Sequence, residues 1–339
     1  MKVYFLVRNF ILILVLLFSG VSMSQESIFK KPSTLELKKI LTLDQFTCTQ
    51  EEGTEAPFKN AYWNNHEDGI YVDVVGNQAL FSSLDKFDSG TGWPSFSRPI
   101  DEHDIKVRPD KNLGLERTEI RSSQADSHLG HVFDDGPGPS RKRFCVNSAA
   151  LKFIPTKKMK EEGYGKYLFL FALKEKWQIA TLAGGCFWGL EDLLRKIPGV
   201  LEVQVGYTGG TQLNAHYEDV KRGNTGHAES IQILFDPNRI KYEEILLQFF
   251  KMHDPTTKNS QGNDVGSQYR SAIFYMNEEQ KIIAEKIKKR VSESGKWKKP
   301  IVTEIIPMKD FWRAEEYHQD YLQKHPEGYT CHFVRKIDF

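Results

Sequence analysis

The sequence predicts two domains, a mainly antiparallel β domain followed by an α/β domain that forms an open sheet with helices on it. The chain has 339 residues, which is long for a single domain. Short β-type runs separated by Gly, Pro, Asn and Asp clusters fill residues 69–153. From residue 178 onward strands and helices alternate, an order typical of a split β-α-β plait.

Composition narrows the classes of protein to which the chain can belong. Hydrophobic residues make up 40% and charged residues 27%, values that are ordinary for a globular protein in water. The formal net charge is +1, which gives no support for a nucleic-acid or other polyanionic partner. We therefore expect no nucleic-acid function.

The N-terminus has the layout of a secretory signal peptide, which we place at residues 1–24. Lys2 and Arg8 precede an apolar run at 10–18, and small residues follow at 19–24. The run is shorter than the ~20 residues of a membrane-spanning helix. A retained N-terminal anchor stays open as the alternative. Export to the periplasm, the cell envelope or the exterior is expected, and with it an oxidising compartment.

The first domain is expected at residues 33–174. Ser33 or Thr34 can cap a short helix that ends near Leu41. The β-type runs predict strands at Ile70–Val75, Ala79–Ser82, Glu116–Arg121, His131–Phe133 and Phe144–Phe153, and Tyr164–Leu173 is interpreted as a closing strand. Glu175–Trp177 is the expected boundary.

The second domain is expected at residues 177–339, where elements alternate. Strands are predicted at Gln178–Ala183, Val200–Tyr207, Ser230–Phe235, Ser271–Tyr275 and Ile301–Ile306. Helices are predicted at Phe187–Ile197, at Tyr242–Met252 and from Glu278, the last with Asn277 and Gln280 as a capping pair.

The most informative stretch is Gly184-Gly185-Cys186-Phe187-Trp188-Gly189, between a predicted strand and a predicted helix. A thiol at a helix start meets unpaired N–H groups and the positive end of the helix dipole, which favour the thiolate. The two aromatic rings beside it suit a small apolar group such as a thioether methyl. These residues alone leave catalysis and simple packing of a buried cysteine equally open.

This hexapeptide resembles the signature of methionine sulfoxide reductase A, and the resemblance extends from about Trp177 to the C-terminus. It implies that Cys186 attacks the sulfoxide sulfur and becomes a sulfenic acid. It further implies Glu229 as the acid, Cys331 as the resolving thiol, and a substrate site formed by Phe187, Trp188, Tyr217, Asp264 and Tyr269. A carboxyl among aromatic rings should have a raised pKa.

Simpler interpretations exist for two of these residues. Glu229 could be an exposed carboxylate at a strand start, and Cys331 could form a permanent structural disulfide with Cys186. More broadly, the chain has four cysteines, and an exported protein could use them in two structural disulfides.

The first half resembles methionine sulfoxide reductase B, through Gly92–Phe96, His128–Phe133 and Arg143–Ser148. The resemblance implies that Cys145 is the nucleophile and Arg143 stabilises its thiolate. It places Trp93 against the substrate methyl, and His128, His131 and Asn147 around the sulfoxide oxygen, with His131 as the preferred acid. A His-x-x-His pair also raises a metal-ligand interpretation, but no cysteine lies close in sequence to complete a zinc site.

Two departures from that family's pattern concern metal and recycling. Zinc-bearing members carry two C-x-x-C pairs, whereas Asp73, Gly76, Ser122 and Ala125 occupy those positions here, so we expect no zinc. Thr91 stands where a resolving cysteine often lies. Cys48 then remains as the internal thiol that could resolve Cys145, unless it is a buried apolar side chain.

The expected function is thiol-dependent reduction of methionine sulfoxide, free or in oxidised proteins, without a bound cofactor. Because the sulfoxide is chiral at sulfur, each epimer needs its own enzyme, and the resemblance implies the R epimer for the first domain and the S epimer for the second. A thioredoxin-like dithiol would supply electrons. A secreted thiol–disulfide oxidoreductase or peroxidase and a disulfide-stabilised binding protein are the rival hypotheses.

Overall fold

The computed structural model describes residues 29–111 and 117–339. The expected signal peptide at 1–24 and Glu116, at the start of a predicted strand, lie outside these residues. No helix in the two described ranges combines the length and the hydropathy needed to cross a membrane.

Two short helices precede the first strands. Helix α1, Thr34–Ile40, begins after Ser33, whose side chain and that of Glu36 form a reciprocal cap; of the two proposed caps, Ser33 is the observed one. Helix α2, Leu43–Glu51, has the same arrangement between Thr42 and Gln45. We did not predict α2, although the T-x-x-Q spacing at its start is a capping-box pattern.

The described part of the first half forms two antiparallel sheets. One contains β1 (Gly69–Asp73), β2 (Ala79–Ser82) and β9 (Leu151–Pro155), in the order β2-β1-β9. The other has the order β3-β4-β8-β7-β6-β5 and comprises β3 (Lys86–Phe87), β4 (Ser95–Phe96), β5 (Ile105–Asp110), β6 (Arg117–Ser122), β7 (His128–Phe133) and β8 (Arg143–Val146). The mainly-strand prediction is therefore confirmed for this half.

Two strand predictions in the first half are wrong. The predicted strand Phe144–Phe153 is β8 and β9, separated by a 3₁₀ turn at Ser148–Ala150 that moves the chain from one sheet to the other. The predicted closing strand Tyr164–Leu173 is a 3₁₀ helix at Gly165–Phe171, after the short helix α3 (Thr156–Met159). Leu168 and Phe171 are buried three residues apart, and this period belongs to a 3₁₀ helix rather than to a strand.

The second half is α/β, as predicted, and its main sheet has the order β16-β15-β10-β12-β11-β17. The strands are β10 (Gln178–Gly184), β11 (Val200–Thr208), β12 (Ala228–Phe235), β15 (Ser271–Tyr275), β16 (Glu304–Pro307) and β17 (Trp312–Arg313), and β13 (Ser260–Gln261) pairs with β14 (Asp264–Val265) apart from it. The helices are α4 (Phe187–Arg195), α5 (Tyr217–Val220), α6 (Tyr242–Met252), α7 (Glu278–Glu293) and α8 (Tyr321–Lys324).

Most element boundaries in this half lie within a few residues of the prediction. Helix α7 begins after Asn277, whose side chain accepts from the Gln280 amide; the Gln280 side chain instead accepts from the Met276 amide, so only half of the predicted reciprocal cap forms. The core of the domain packs α4, α6 and α7 on the sheet, with Leu190, Phe249 and Ile287 fully buried.

The two halves contact each other through a shared apolar cluster. Ile70, Met159 and Phe171 from the first half bury against Leu234 of β12, with Leu201 of β11 at the edge. The Lys160 ammonium also donates to the Leu201 carbonyl at 2.7 Å. The segment after β9 therefore connects the β2-β1-β9 sheet of the first half to the main sheet of the second half, and it is not an exposed linker.

Candidate active sites

The Cys186 thiol lies on the turn between β10 and α4, where the sequence predicted it. Gly185 has φ +106°, and a Cβ on it would lie 2.5 Å from the Gln261 side chain, so the turn needs glycine for conformation and for space. Cys186 is the N-cap residue of α4 and is 6% exposed. The structure thus places a thiol at the positive end of a helix.

The expectation that this thiol ionises readily in the resting protein is wrong. Burial raises the pKa of Cys186 well above its usual value, and the nearby Glu229 carboxylate raises it further; the Trp188 backbone amide acts in the opposite direction. Burial and a like charge therefore outweigh the helix start. If Glu229 is protonated, one of the two effects that hold the proton on Cys186 disappears.

Glu229 is the second residue of β12 and is 3% exposed, so the interpretation as an exposed carboxylate is wrong. The Phe187 amide donates to its Oε2 at 3.1 Å, which places the carboxyl at the start of α4 beside Cys186. Burial raises the pKa of Glu229 to about 8. A carboxyl of this kind holds a proton at neutral pH, in line with the expected acid.

Three more predicted residues surround this pair. The phenols of Tyr217, on α5, and Tyr269 both interact electrostatically with Glu229 and Cys186. Asp264, on β14, adds to the negative charge around Glu229. The structure therefore brings a thiol, a carboxyl and two phenols to one place from four separate segments of the chain.

The two aromatic residues after Cys186 have different surroundings. Phe187 is 1% exposed and packs on Tyr207, so it belongs to the core as well as to the site. Trp188 is half-buried, stacks on Tyr321 with ring centroids 3.8 Å apart, and donates its indole N–H to His318 Nδ1 at 3.1 Å. His318 and Tyr321 were not predicted, because only the folded chain brings residues of the C-terminal segment onto α4.

Cys331 lies in this site without a disulfide. Among the described residues Cys48, Cys145, Cys186 and Cys331 are all free, so the alternatives with structural disulfides are not observed. The Cys331 sulfur contacts the Cys186 backbone amide and donates to Asp264 Oδ2 at 3.4 Å. The two thiols therefore belong to one site.

In the first half, Cys145 lies in the middle of the six-stranded sheet. It pairs with Ser95 of β4 on one side and with His131 of β7 on the other, so these side chains share a face. Its thiol contacts Thr91, Ser95 and the Arg143 guanidinium, which lower its pKa, although burial raises the pKa overall. Thr91, at the position where the resemblance to methionine sulfoxide reductase B would expect a resolving cysteine, therefore lies beside the predicted nucleophile.

Arg143 is held in position by other groups. Its guanidinium donates to both Asp135 oxygens, at 2.8 and 2.9 Å, and lies over the Phe133 ring. This bidentate pair fixes the guanidinium next to Cys145, whose pKa it lowers.

The two predicted histidines each have a carboxylate partner that sequence reasoning missed. His128 Nδ1 lies 2.6 Å from Glu119 Oε1, and His131 Nε2 lies 2.7 Å from Asp110 Oδ2. Buried His128 Nε2 has no hydrogen-bond partner in the described structure, and burial lowers the pKa of this histidine. A neutral imidazole thus faces a cavity of about 520 Å³ that His131 also lines.

Trp93 and Asn147 meet at the segment that follows α2. The Trp93 indole donates to the Glu55 carbonyl at 3.1 Å, and the Glu55 amide donates to Asn147 Oδ1 at 3.3 Å. The Glu55 carboxylate in turn accepts from the amides of Ser148 and Ala149. Glu55, which sequence analysis did not select, ties the N-terminal segment to the site.

Two of the four positions that hold cysteines in zinc-bearing members of the reductase B family, Asp73 and Ser122, are joined here by a hydrogen bond. Asp73 Oδ2 accepts from the hydroxyls of Ser122 and Ser127, at 2.7 and 3.1 Å. A Cβ on Gly76 would lie 3.1 Å from the Ala125 methyl, so this corner is closely packed. No group of three or more His, Cys, Asp or Glu side chains suited to a metal occurs in residues 29–111 and 117–339.

Comparison with known proteins finds a different family for each half. Residues 178–338 match the family model of peptide methionine sulfoxide reductase, and residues 41–155 match the SelR domain. The chain is 56% identical over 158 residues to peptide methionine sulfoxide reductase MsrA of Streptomyces avermitilis, covering 47% of this chain and 91% of that protein. It is 55% identical over 161 residues to MsrA of Pseudomonas fluorescens, covering 48% of this chain and 75% of that protein.

Similar solved structures each cover just under half of this chain. Reduced Mxr1 from Saccharomyces cerevisiae is 40% identical, with a TM-score of 0.45, over 47% of this chain and 93% of that one. Methionine sulfoxide reductase A of Corynebacterium diphtheriae is 32% identical, with a TM-score of 0.42, over 48% of this chain and 81% of that one. On the sequence matches, which span nearly all of a curated relative, the chain belongs to the peptide methionine sulfoxide reductase family and joins a SelR domain to its reductase domain.

Proposed function

We infer that the chain is a bifunctional reductase that converts methionine sulfoxide to methionine, with the R epimer reduced in the first domain and the S epimer in the second. The observation that carries this is the pair of complete sites in one chain. Each site has a free thiol, a group able to hold a proton and an aromatic side chain for the methyl group. Repair of oxidised proteins is the expected role.

In the second domain the reaction begins with attack of the Cys186 thiolate on the sulfoxide sulfur. As the S–O bond of the sulfoxide weakens, negative charge develops on its oxygen. This oxygen therefore needs a proton and hydrogen-bond donors. Glu229 supplies the proton, because burial keeps its carboxyl protonated near neutral pH. Tyr217 and Tyr269 donate to the oxygen, and the Trp188 ring, held by His318 and Tyr321, faces the methyl group.

In the first domain Cys145 is the nucleophile and Arg143 stabilises its thiolate. His131 is the acid, with Asp110 orienting its ring, while His128 and Asn147 surround the oxygen and Trp93 faces the methyl group. This assignment follows from the shared sheet face, since β7 and β8 place His131 directly opposite Cys145.

The simplest test measures both epimers separately. Purified protein, with dithiothreitol as reductant, should convert both the R and the S epimer of a blocked methionine sulfoxide to methionine. Failure to convert either epimer would contradict the proposed function. Turnover of hydrogen peroxide without sulfoxide turnover would favour a peroxidase.

The physiological reductant is proposed to be a thioredoxin-like dithiol. After each cycle in the second domain the Cys186–Cys331 pair becomes a disulfide, and thiol–disulfide exchange with a dithiol restores it. The half-buried Cys331 is the more accessible sulfur for the incoming thiolate, since Cys186 is 6% exposed.

Recycling of the first domain is proposed to use Cys48. This thiol is 3% exposed on α2, and burial together with Glu55 raises its pKa to about 11. Helix α2 packs against β7, the neighbour of the strand β8 that carries Cys145, and Glu55 hydrogen-bonds to Trp93 and Asn147, so the segment that carries Cys48 adjoins the Cys145 site.

The proposed role of Cys48 is tested with protein that lacks Cys186. One equivalent of R epimer, given without reductant, should yield a Cys48–Cys145 disulfide that peptide mapping detects, because Thr91 offers no thiol. In Cys48→Ser protein the first turnover should survive while thioredoxin-driven recycling fails. Unimpaired recycling would show instead that an outside thiol reduces Cys145 directly.

The strand order of the second half supports the predicted fold. Strand β12 separates β10 from β11, an order that supports a split β-α-β plait, and the proposed domains are 33–174 and 177–339.

Export to the periplasm or cell envelope is proposed from Lys2, Arg8 and the apolar run at 10–18. Mass spectrometry of the protein from the native host tests cleavage after residue 24; a full-length N-terminus in the envelope would favour an anchor.

A further inference from the structure

The C-terminal tail is attached to the turn that carries Cys186, and His332 makes the attachment. His332 is buried, and its Nε2 lies 2.8 Å from the carbonyl oxygen of Gly184, the last residue of β10. The adjacent residue is Cys331. One hydrogen bond therefore connects the second thiol of the site to the base of the turn that presents the first.

Glycines on the opposing surface make room for this tail. A Cβ on Gly189 would lie 2.2 Å from Thr330 Oγ1 and 2.7 Å from His332 Nδ1, and a Cβ on Gly262 would lie 2.9 Å from the Cys331 Cβ. Both approaches are too close for a larger residue. The tail is thus fitted against α4 and the β13–β14 hairpin, beside Cys186.

The Gly184 carbonyl also determines the tautomer of His332. A carbonyl oxygen can only accept, so Nε2 must carry the hydrogen, and in the neutral ring Nδ1 is then a bare acceptor. Burial lowers the pKa of His332 to about 4, so the ring is neutral at physiological pH. Nδ1 lies 3.5 Å from the Cys331 sulfur.

Asp264 is the other acceptor near this sulfur, but it has a different effect. Its Oδ2 accepts from the Cys331 thiol at 3.4 Å and from the Tyr329 hydroxyl at 3.1 Å. Burial, and after it the interaction with Asp264, raises the pKa of Cys331 to about 11, so the Asp264 charge disfavours a thiolate. The neutral imidazole accepts the same proton without adding negative charge.

We propose that His332 is the positioning residue of the resolving step, in which its Nε2–H fixes the tail on Gly184 and its Nδ1 accepts the Cys331 S–H. The proposal rests on the proposed function of the second domain. In this step the Cys331 sulfur attacks the Cys186 sulfenic acid, the S–S bond forms and the S–O bond breaks. Cys331 is oxidised and the sulfenic sulfur reduced, and the thiol proton ends on the departing oxygen, which leaves as water.

The test separates methionine formation from disulfide formation in one turnover. Full-length protein with Cys145→Ser is mixed with S epimer without reductant and quenched at intervals. Methionine, the Cys186–Cys331 disulfide and the sulfenic acid trapped by a 1,3-dione are then measured. His332→Gln keeps an N–H for Gly184 but loses the acceptor, His332→Asn keeps an acceptor but loses the anchor, and Asp338→Asn is the exposed-tail control.

Both His332 variants should form methionine at the rate of the parent protein, while the disulfide forms up to about 10²-fold more slowly and the trapped sulfenic acid accumulates. Asp338→Asn should behave like the parent. Disulfide formation at the parental rate in both His332 variants would overturn the proposal, and so would an equal loss of methionine formation. Absence of methionine from the parent itself would instead contradict the proposed function.

Discussion

Cys186→Ser is expected to abolish reduction of the S epimer and leave reduction of the R epimer unchanged, while Cys145→Ser does the reverse. The reason is that each thiol is the proposed nucleophile of its own site, and a serine hydroxyl is far too weak an acid to replace it. The two sites lie on different sheets and share no described side-chain contact between their predicted residues.

The measurement follows methionine formed from each epimer by both variants and the parent, with dithiothreitol as reductant. The unaffected domain is the internal control, because its activity reports that the variant has folded. Loss of both activities from one substitution, in protein with a parental unfolding temperature, would contradict the two-site assignment.

Glu229→Gln is expected to slow reduction of the S epimer by about 10²–10⁴-fold, the range typical of losing a positioned general acid. Glutamine keeps the shape of the side chain and can still accept from the Phe187 amide, so little stability should be lost. Glu278→Gln, at an exposed position in the first turn of α7, is the matched control. A near-parental rate for Glu229→Gln would assign the acid role to another group.

The raised pKa of Glu229 predicts how the rate of S-epimer reduction depends on pH. The acid form of Glu229 is the active one, and its pKa is raised to about 8, so this contribution is present below pH 8 and is lost as the pH rises through that value. Because the Cys186 thiol, with its raised pKa, also gains thiolate as the pH rises, single-turnover rates of the parent are compared with those of Glu229→Gln at each pH from 6 to 10. The ratio of the parent rate to the Glu229→Gln rate should be constant below pH 8 and fall above it, and a ratio that does not fall would contradict the acid role of Glu229.

Local sequence was sufficient for much of the second domain. Apolar spacing predicted helix α6, strand β15, and the strand and helix on either side of Cys186. The glycines next to the thiol predicted the turn between that strand and that helix. Both signals act over a few neighbouring residues. The same holds for the Ser33 cap of α1. The candidate nucleophiles and Glu229 were identified through the resemblance of short motifs to the two reductase families, because the residues alone left their roles open.

Other features depended on the tertiary structure. Gly165–Phe171 forms a 3₁₀ helix whose Leu168 and Phe171 side chains bury in a cluster shared with the second domain, a surface absent from the local pattern. Glu119 and Asp110 acquire their histidine partners only through strand pairing, and His318 reaches Trp188 from 130 positions away.

The ionisation of Cys186 shows most clearly the difference between what local sequence predicts and what the folded chain determines. The sequence by itself determined that a thiol stands at a helix start, which favours the thiolate. The folded chain decided that burial and the Glu229 carboxylate raise its pKa instead, because desolvation and charge act through space between segments distant in sequence. The tail that brings Cys331 to this thiol is likewise placed by contacts with Gly184, Gly189 and Gly262, which lie 69 or more positions earlier in the chain.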